Sequence, residues 1–192
     1  KEPHAAHPEL QVESSMEELS SGVRERFIYR IFELSQEGET LKIGDWEIKS
    51  SSLSKNMKGC RQAAVFAATL GPEADQMIRR ASVTEMAKAV VLQACAAALL
   101  EEYCDSCQDR IAQEMAEEGK YLRPRFSPGY GDFDICHQEM LLKILQADKT
   151  IGLTMTKSFM LTPTKSVTAL IGISTEQTPC HRQGCEVCEK TD

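Results

Sequence analysis

The fold is inferred outward from residues 123–132, which read RPRFSPGYGD. Pro124 and Pro128 fix their own φ angles and favour extended geometry in the residue that precedes each of them. Pro128-Gly129 predicts a turn, and glycine lets backbone groups approach a ligand closely. Arg125 offers a planar guanidinium that suits a carboxylate or a phosphate. The pattern indicates a ligand-binding loop, and the alternative is an ordinary surface turn with two solvated arginines.

Further motifs follow this loop in a regular order. They are Leu141-Leu142-x-x-Leu145, then IGLTMTKSF at 151–159, then Pro163-x-x-Ser166-Val167. Together with Arg125-x-x-Pro128-Gly129-Tyr130, they resemble the activation domain of cobalamin-dependent methionine synthase, whose Arg-Pro-x-Pro-Gly-Tyr loop binds S-adenosylmethionine. The resemblance covers residues 125–174 and, more loosely, the segment that begins near residue 65.

The resemblance implies a ligand site as well as a fold. Arg125 would pair with the methionyl carboxylate of S-adenosylmethionine, Pro128 and Gly129 would shape the loop, and Tyr130 would line the site near the reacting face. Backbone groups of Ile171-Gly172 would complete the site. At these last positions the family carries larger residues, including an aromatic one, so this chain departs from the pattern there.

The family's role is the repair of a catalyst. Inactive cob(II)alamin, carried by a partner methionine synthase, receives an electron from a reduced flavodoxin-type donor and a methyl group from S-adenosylmethionine. The resemblance therefore implies a stand-alone reactivation subunit whose contribution is positioning. Two alternatives stay open: a reactivator of another corrinoid methyltransferase, and a non-catalytic module that binds S-adenosylmethionine or a corrinoid protein.

Composition sets broad limits on the class of protein. The chain has 192 residues, a net charge of −7 and eight cysteines. The acidic balance argues against a generic nucleic-acid binder, and no apolar run reaches the length of a membrane helix. We therefore expect a cytoplasmic protein that does not associate with membranes. Its expected organisation is a lead-in at 1–12, one domain at 13–176 and a cysteine-rich tail at 177–192.

The tail contains a second candidate site. Cys180, Cys185 and Cys188 have C-x4-C-x2-C spacing, which can direct three thiolates to one zinc ion or one iron–sulfur cluster. A fourth ligand is needed, and the candidates are His181, Cys60, Cys104, Cys107 and Cys136. The alternative is an oxidisable tail without metal, or an incidental disulfide. Helical spacing predicts that Cys104 and Cys107 instead belong to a core stripe.

The resemblance implies an α+β fold in which long helices pack on a curved antiparallel sheet, and the periodicity by itself also indicates the α+β class. Predicted helices cover 14–34, most of 72–119 and 134–147, with a break near Ala81 and a capping box from Ser82 to Glu85. Predicted strands cover a hairpin at 41–49, then 63–70, 153–160 and 166–174, and a short helix lies within 51–58. The apolar face of the long helix is predicted to contain Val83, Ala87, Val90, Val91, Ala94 and Ala98.

Overall fold

A six-stranded antiparallel sheet forms the centre of the computed structural model, which describes residues 8–177 and the side chains of 11–177. The strand order is β3-β2-β1-β4-β8-β5, and a separate two-stranded ribbon pairs β6 with β7. The strands are β1 (Arg26–Glu37), β2 (Thr40–Ile43), β3 (Trp46–Lys49), β4 (Gln62–Thr69), β5 (Tyr121–Leu122), β6 (Thr154–Met155), β7 (Leu161–Thr162) and β8 (Ser166–Ser174). The helices are α1 (Pro8–Gly22), α2 (Ser51–Asn56), α3 (Pro72–Thr84), α4 (Met86–Ala116), α5 (Gln138–Leu145) and α6 (Ala147–Thr150).

Strand β4 has a core on each side of it. Its side chains alternate, so that Ala64 and Phe66 face the core formed with α1, α3 and α4, whereas Ala63 and Val65 face the core formed with α2, α5 and α6. All four are fully buried. A strand that is covered on both faces needs an unbroken apolar run, which explains the AAVFAA sequence. The α+β architecture predicted from the sequence is thereby confirmed.

The predicted helix at 14–34 is correct only as far as Gly22, where α1 ends; it is wrong beyond that residue, because strand β1 begins at Arg26. The apolar residues of β1 occur in neighbouring pairs that imitate helical spacing. In the structure, Phe27 packs on one core and Ile28 on the other. Burial on both faces removes the alternation that marks a strand, and pairing with both β2 and β4 overrides local propensity.

The long helical region breaks later than expected, at Glu85, whose backbone is extended. The predicted capping box does not form, since Ser82 lies inside α3 and donates to the Arg79 carbonyl at 2.7 Å. The break changes the phase of the apolar stripe. Val83 and Val90 are 84% and 63% exposed, contrary to the prediction. The buried stripe of α4 is instead Ala89, Leu92, Cys95, Ala96, Leu99, Leu100, Cys104, Cys107, Ile111 and Met115.

The remaining elements follow the prediction in part. The hairpin at 41–49 and strand β8 form as expected. The predicted helix at 134–147 is divided into a 3₁₀ turn (Ile135–His137), α5 and α6. Gln146, which adopts a left-handed conformation with φ 48°, separates α5 from α6. The predicted strand at 153–160 is reduced to β6. No helix within residues 8–177 is long and apolar enough to cross a membrane.

Candidate functional site

The chain between β5 and the loop runs along the free edge of β8. Leu122 pairs with Ile173 and Phe126 pairs with Leu170, so four steps along one strand match only three along the other. One extra residue is therefore accommodated in the segment 123–125, as in a β-bulge, and such an insertion redirects the side chains that follow it. As a result, Arg125 lies on the α4 side of the sheet, whereas Arg123 lies on the opposite side.

Arg125 is held by the side of helix α4. Its guanidinium donates to Asp105 at 2.9 Å, to Glu101 at 3.4 Å and to the side-chain oxygen of Gln108 at 3.0 Å. The Arg125 side chain is 15% exposed, while those of Glu101 and Asp105 are 69% and 50% exposed. The carboxylates are therefore open to solvent at the place where the guanidinium is fixed. A mostly buried cation beside two accessible anions is suited to a ligand that carries both signs of charge.

The Pro128-Gly129 turn forms as the sequence predicts. Tyr130 N–H donates to the Ser127 carbonyl at 3.2 Å, and Gly129 has φ 97°. Proline at the second position and a positive φ at the third are typical of a type II turn. Pro128 is buried, and Gly129 N–H donates to the Phe133 carbonyl at 2.7 Å. The backbone of the loop is thus defined on its inner side, while Gly129 and Tyr130 face outward.

Asp132 attaches the loop to the N-terminus of helix α2. Its carboxylate accepts hydrogen bonds from the Ser50 hydroxyl at 2.6 Å and from the N–H groups of Ser51 and Ser52 at 2.7 and 2.9 Å. The Ser50 hydroxyl bond and those from the two N–H groups hold the pKa of Asp132 well below its usual range. Gly131 makes this approach possible, because a side chain there would overlap Ser52. No role was predicted for Asp132 from the sequence. The serine run at 50–52 is the only sequence feature that hints at its hydrogen-bond partners.

Aromatic rings extend from the loop toward the hairpin. Phe126 lies between Tyr130 and Phe133, with ring centroids 6.3 and 6.2 Å away, and Phe133 stacks on His137 at 5.2 Å. Burial lowers the pKa of His137. Tyr130 is the outermost member and is 66% exposed. The cluster therefore supports the turn from below and leaves the tyrosine ring free for a ligand or a partner protein.

Ile171 and Gly172 lie in the β8 strand beside the loop. The Ile171 side chain is fully buried in the core under α4, and the Gly172 carbonyl accepts a hydrogen bond from Arg123 N–H at 2.8 Å. Gly172 lies beneath two sulfur atoms, since a Cβ there would be 2.7 Å from both Cys60 Sγ and Met57 Sδ. Both residues lie close to the loop backbone, but the contacts they make in this structure are all with other parts of the protein. Their proposed contact with a ligand stays a prediction.

The cysteines fall into different settings. Cys104 and Cys107 are fully buried on α4, as their helical spacing predicts. The candidate metal ligands Cys180, Cys185 and Cys188 lie outside the described residues. Within residues 8–177, no group of three or more His, Cys, Asp or Glu side chains is arranged to hold a metal ion.

Comparison with known proteins gives two findings. A match to the protein family described as vitamin B12 dependent methionine synthase, activation domain, covers residues 54–179. Among solved structures, the fold is similar to the MetH reactivation domain bound to AdoHcy (S-adenosylhomocysteine), with a TM-score of 0.66 and 16% sequence identity over 92% of this chain and 69% of that chain. No curated protein sequence matches the chain.

Proposed function

Because the chain belongs to the family of vitamin B12 dependent methionine synthase activation domains, we propose that it binds S-adenosylmethionine and supports reductive methylation of cob(II)alamin on a partner protein. The partner would be a cobalamin-carrying methionine synthase in the cytoplasm, and the electron would come from a flavodoxin-like donor. The methyl group would pass from the sulfonium to cobalt and leave S-adenosylhomocysteine. The family match includes the whole Arg125–Tyr130 loop, and the similar structure contains that product.

The observation that carries this proposal is the charge arrangement around Arg125. One guanidinium and two carboxylates, from Glu101 and Asp105, give the local site one excess negative charge. S-adenosylmethionine carries a sulfonium, an ammonium and a carboxylate, which together give one excess positive charge. The two sets of charges are therefore complementary in sign and in number, and such complementarity favours this ligand over a simple anion.

In this arrangement the ligand carboxylate would exchange places with a carboxylate of α4 at the Arg125 guanidinium. The released Glu101 or Asp105 would then be free to accept from the ligand ammonium. The Pro128-Gly129 backbone would bound the ligand, and the exposed Tyr130 ring would lie at the face that meets the partner. The methyl donor would be the ligand and the acceptor the partner's cobalt, so the contribution of the described residues to rate would be orientation of the sulfonium methyl.

Calorimetric titration of the full chain with S-adenosylmethionine and with its decarboxylated analogue tests this site. Removing the Arg125 contact in Arg125→Ala should weaken S-adenosylmethionine binding by about 1.5–3 kcal/mol, which is roughly tenfold or more. The wild type should bind the decarboxylated analogue more weakly by a similar factor. The variant should lose this preference and bind the analogue at least as tightly as S-adenosylmethionine, because the cation that recognises the carboxylate is gone and two carboxylates remain.

Arg80→Ala is the matched control, since Arg80 is an exposed arginine on α3 away from the loop. It should leave both affinities unchanged. If Arg125→Ala weakened both compounds by the same factor, the arginine would not read the carboxylate and the assignment would be wrong. Reactivation is tested separately with a cob(II)alamin-carrying methionine synthase and a reductant. Tight binding without formation of S-adenosylhomocysteine would support the non-catalytic binding module instead.

A further inference from the structure

Strand β1 has one edge that the sheet leaves partly uncovered. On the β4 side, β1 is paired throughout residues 26–33. On the other side, β2 begins to pair only at Leu34. Within the part of the chain that the structure describes, no hydrogen bond reaches residues 26–33 from that second side. This leaves roughly 24 Å of open strand edge, since each residue of an antiparallel strand advances the chain by about 3.4 Å.

Alternate residues of β1 direct their backbone groups to this open edge. Leu34 N–H donates to the Arg61 carbonyl at 2.8 Å, on the β4 side. Since hydrogen-bonded and non-hydrogen-bonded residues alternate along an antiparallel pair, the odd-numbered residues face the other way. Phe27, Tyr29 and Ile31 therefore present N–H and C=O groups that have no partner among the described residues. Such a row of groups is a template for an added strand.

The side chains beside the open edge differ between the two faces of the sheet. On the face toward α4, Phe27, Tyr29 and Ile31 are half-buried and pack against the core. On the opposite face, Arg26 and Arg30 are exposed. Neither arginine forms an ion pair with another described residue. One face therefore offers apolar contact, and the other offers two cations without a described partner.

We propose that the open edge of β1 binds an extended segment of a partner protein, which adds to the sheet as an antiparallel strand. The segment that fits this edge alternates acidic and apolar residues. Its acidic residues lie opposite Arg26 and Arg30, and its apolar residues lie opposite Phe27, Tyr29 and Ile31. Directly opposed residues share a face and have Cβ atoms about 4.5–5.5 Å apart, so both kinds of contact form at once. Charge complementarity then favours an acidic segment over a basic one.

A second copy of this chain is a poorer occupant of the edge. Two β1 strands paired about a two-fold axis keep the same face, because the axis is perpendicular to the sheet. Arg26 and Arg30 of both copies would then lie on one face, where like charges repel each other. The occupant is therefore assigned to a different protein.

This edge is separate from the candidate ligand site. In the sheet, β1 is divided from β8 by β4, while the loop at 123–132 follows the far edge of β8. A strand added to β1 does not cover Arg125. The two proposals can therefore fail separately.

The test uses the full chain and a synthetic probe of seven residues, in which glutamate and valine alternate and both ends are blocked. The same peptide with lysine in place of glutamate is the charge control. Two further forms carry N-methyl groups, one on the valines and the other on the glutamates. In the proposed pairing the valine N–H groups face β1, because the valines lie opposite Phe27, Tyr29 and Ile31 and exchange backbone bonds with them.

The protein variants reverse charge at the edge and at a remote place. Arg26→Glu combined with Arg30→Glu removes both cations of the edge. Arg79→Glu combined with Arg80→Glu is the matched control, since these exposed arginines on α3 give the same change in net charge. Circular dichroism and thermal unfolding check that each variant is folded.

Calorimetry should show that the wild type and the α3 control bind the glutamate probe equally. The edge variant should bind it at least about fourfold more weakly, because two attractive pairs become repulsive. Methylation of the valines should abolish binding, whereas methylation of the glutamates should preserve it. By NMR, the amides of Phe27, Tyr29 and Ile31 should exchange hydrogen quickly in the free protein and become protected by the probe. Those of Ile28 and Arg30 should be protected throughout.

Four results would overturn the proposal. They are absence of binding to the glutamate probe, equal binding of the lysine probe, binding that survives methylation of the valines, and protection of the edge amides in the free monomer. Protection that appears only as the chain dimerises would also overturn it, and would assign the edge to a second copy instead.

Discussion

Replacing Gly172 by alanine gives the sharpest test of the packing at the end of the sheet. A Cβ at this position would be 2.7 Å from Cys60 Sγ, 2.7 Å from Met57 Sδ and 3.0 Å from Arg123 Cγ. The backbone there lies outside the positive-φ region, so strain would come from these contacts alone. Overpacking of a filled core costs about 1–3 kcal/mol. Relief of glycine's extra chain entropy offsets about 0.5–1 kcal/mol of that.

The net loss for Gly172→Ala should therefore lie between about 0 and 2.5 kcal/mol, which for a chain of this size lowers Tm by up to roughly 10 °C. Thermal and urea unfolding, both with a chelator present so that metal does not contribute, measure it. Cys60→Ala provides the second arm of a double-mutant cycle. In that background the cost of Gly172→Ala should fall by more than about 0.5 kcal/mol, as expected for directly contacting residues. If Gly172→Ala instead raised the stability, as chain entropy alone predicts, the packing argument would be refuted.

Two further predictions concern the loop and the long helix. In Asp132→Asn, the amides of Ser51 and Ser52 should exchange hydrogen faster, and S-adenosylmethionine binding should weaken. Folding lowers the pKa of Asp132, so the ionised carboxylate contributes fully to stability above the unfolded pKa of about 3.9. That stabilisation is lost only as pH falls through the folded pKa. Protection of these amides in the wild type should therefore persist at pH 4.5. On α4, Leu92→Ala should cost about 2–5 kcal/mol in urea unfolding, whereas Val90→Ala, at an exposed position, should change stability by less than about 0.5 kcal/mol. Equal effects at the two positions would contradict the assigned face of the helix.

Local backbone conformation could be predicted from the sequence wherever one or two residues restrict it strongly. Pro128-Gly129 allows few turns other than the one observed, and the short apolar run closed by Gly71-Pro72 indicated the buried strand that the structure contains. Strand β1 could not be recognised in the same way, because Phe27 and Ile28 serve two cores at once and imitate helical spacing. The face of α4 was also missed, since its phase depends on the break at Glu85, for which the sequence gives no strong signal.

The candidate site depends on contacts between residues that are far apart in the sequence. Asp132 meets Ser50 across 82 residues, and Arg125 meets Glu101 across 24, so neither partner could be found from spacing. The extra residue in segment 123–125 places Arg125 on the side of the sheet where its acidic partners lie. Without it, strict alternation would direct Arg125 to the same side of the sheet as Arg123.

That same segment carries two arginines with different surroundings. Arg123 and Arg125 are separated only by Pro124, yet one lies beside Cys60 and the other contacts the carboxylates of α4. Arg123→Ala is therefore unsuitable as an inert control for Arg125→Ala, because it removes the cation beside Cys60 and the bond to the Lys58 carbonyl. A change that altered the backbone at Pro124 would disturb both arginines together. An independent test of the ligand site thus requires a change at its far side, at Asp105.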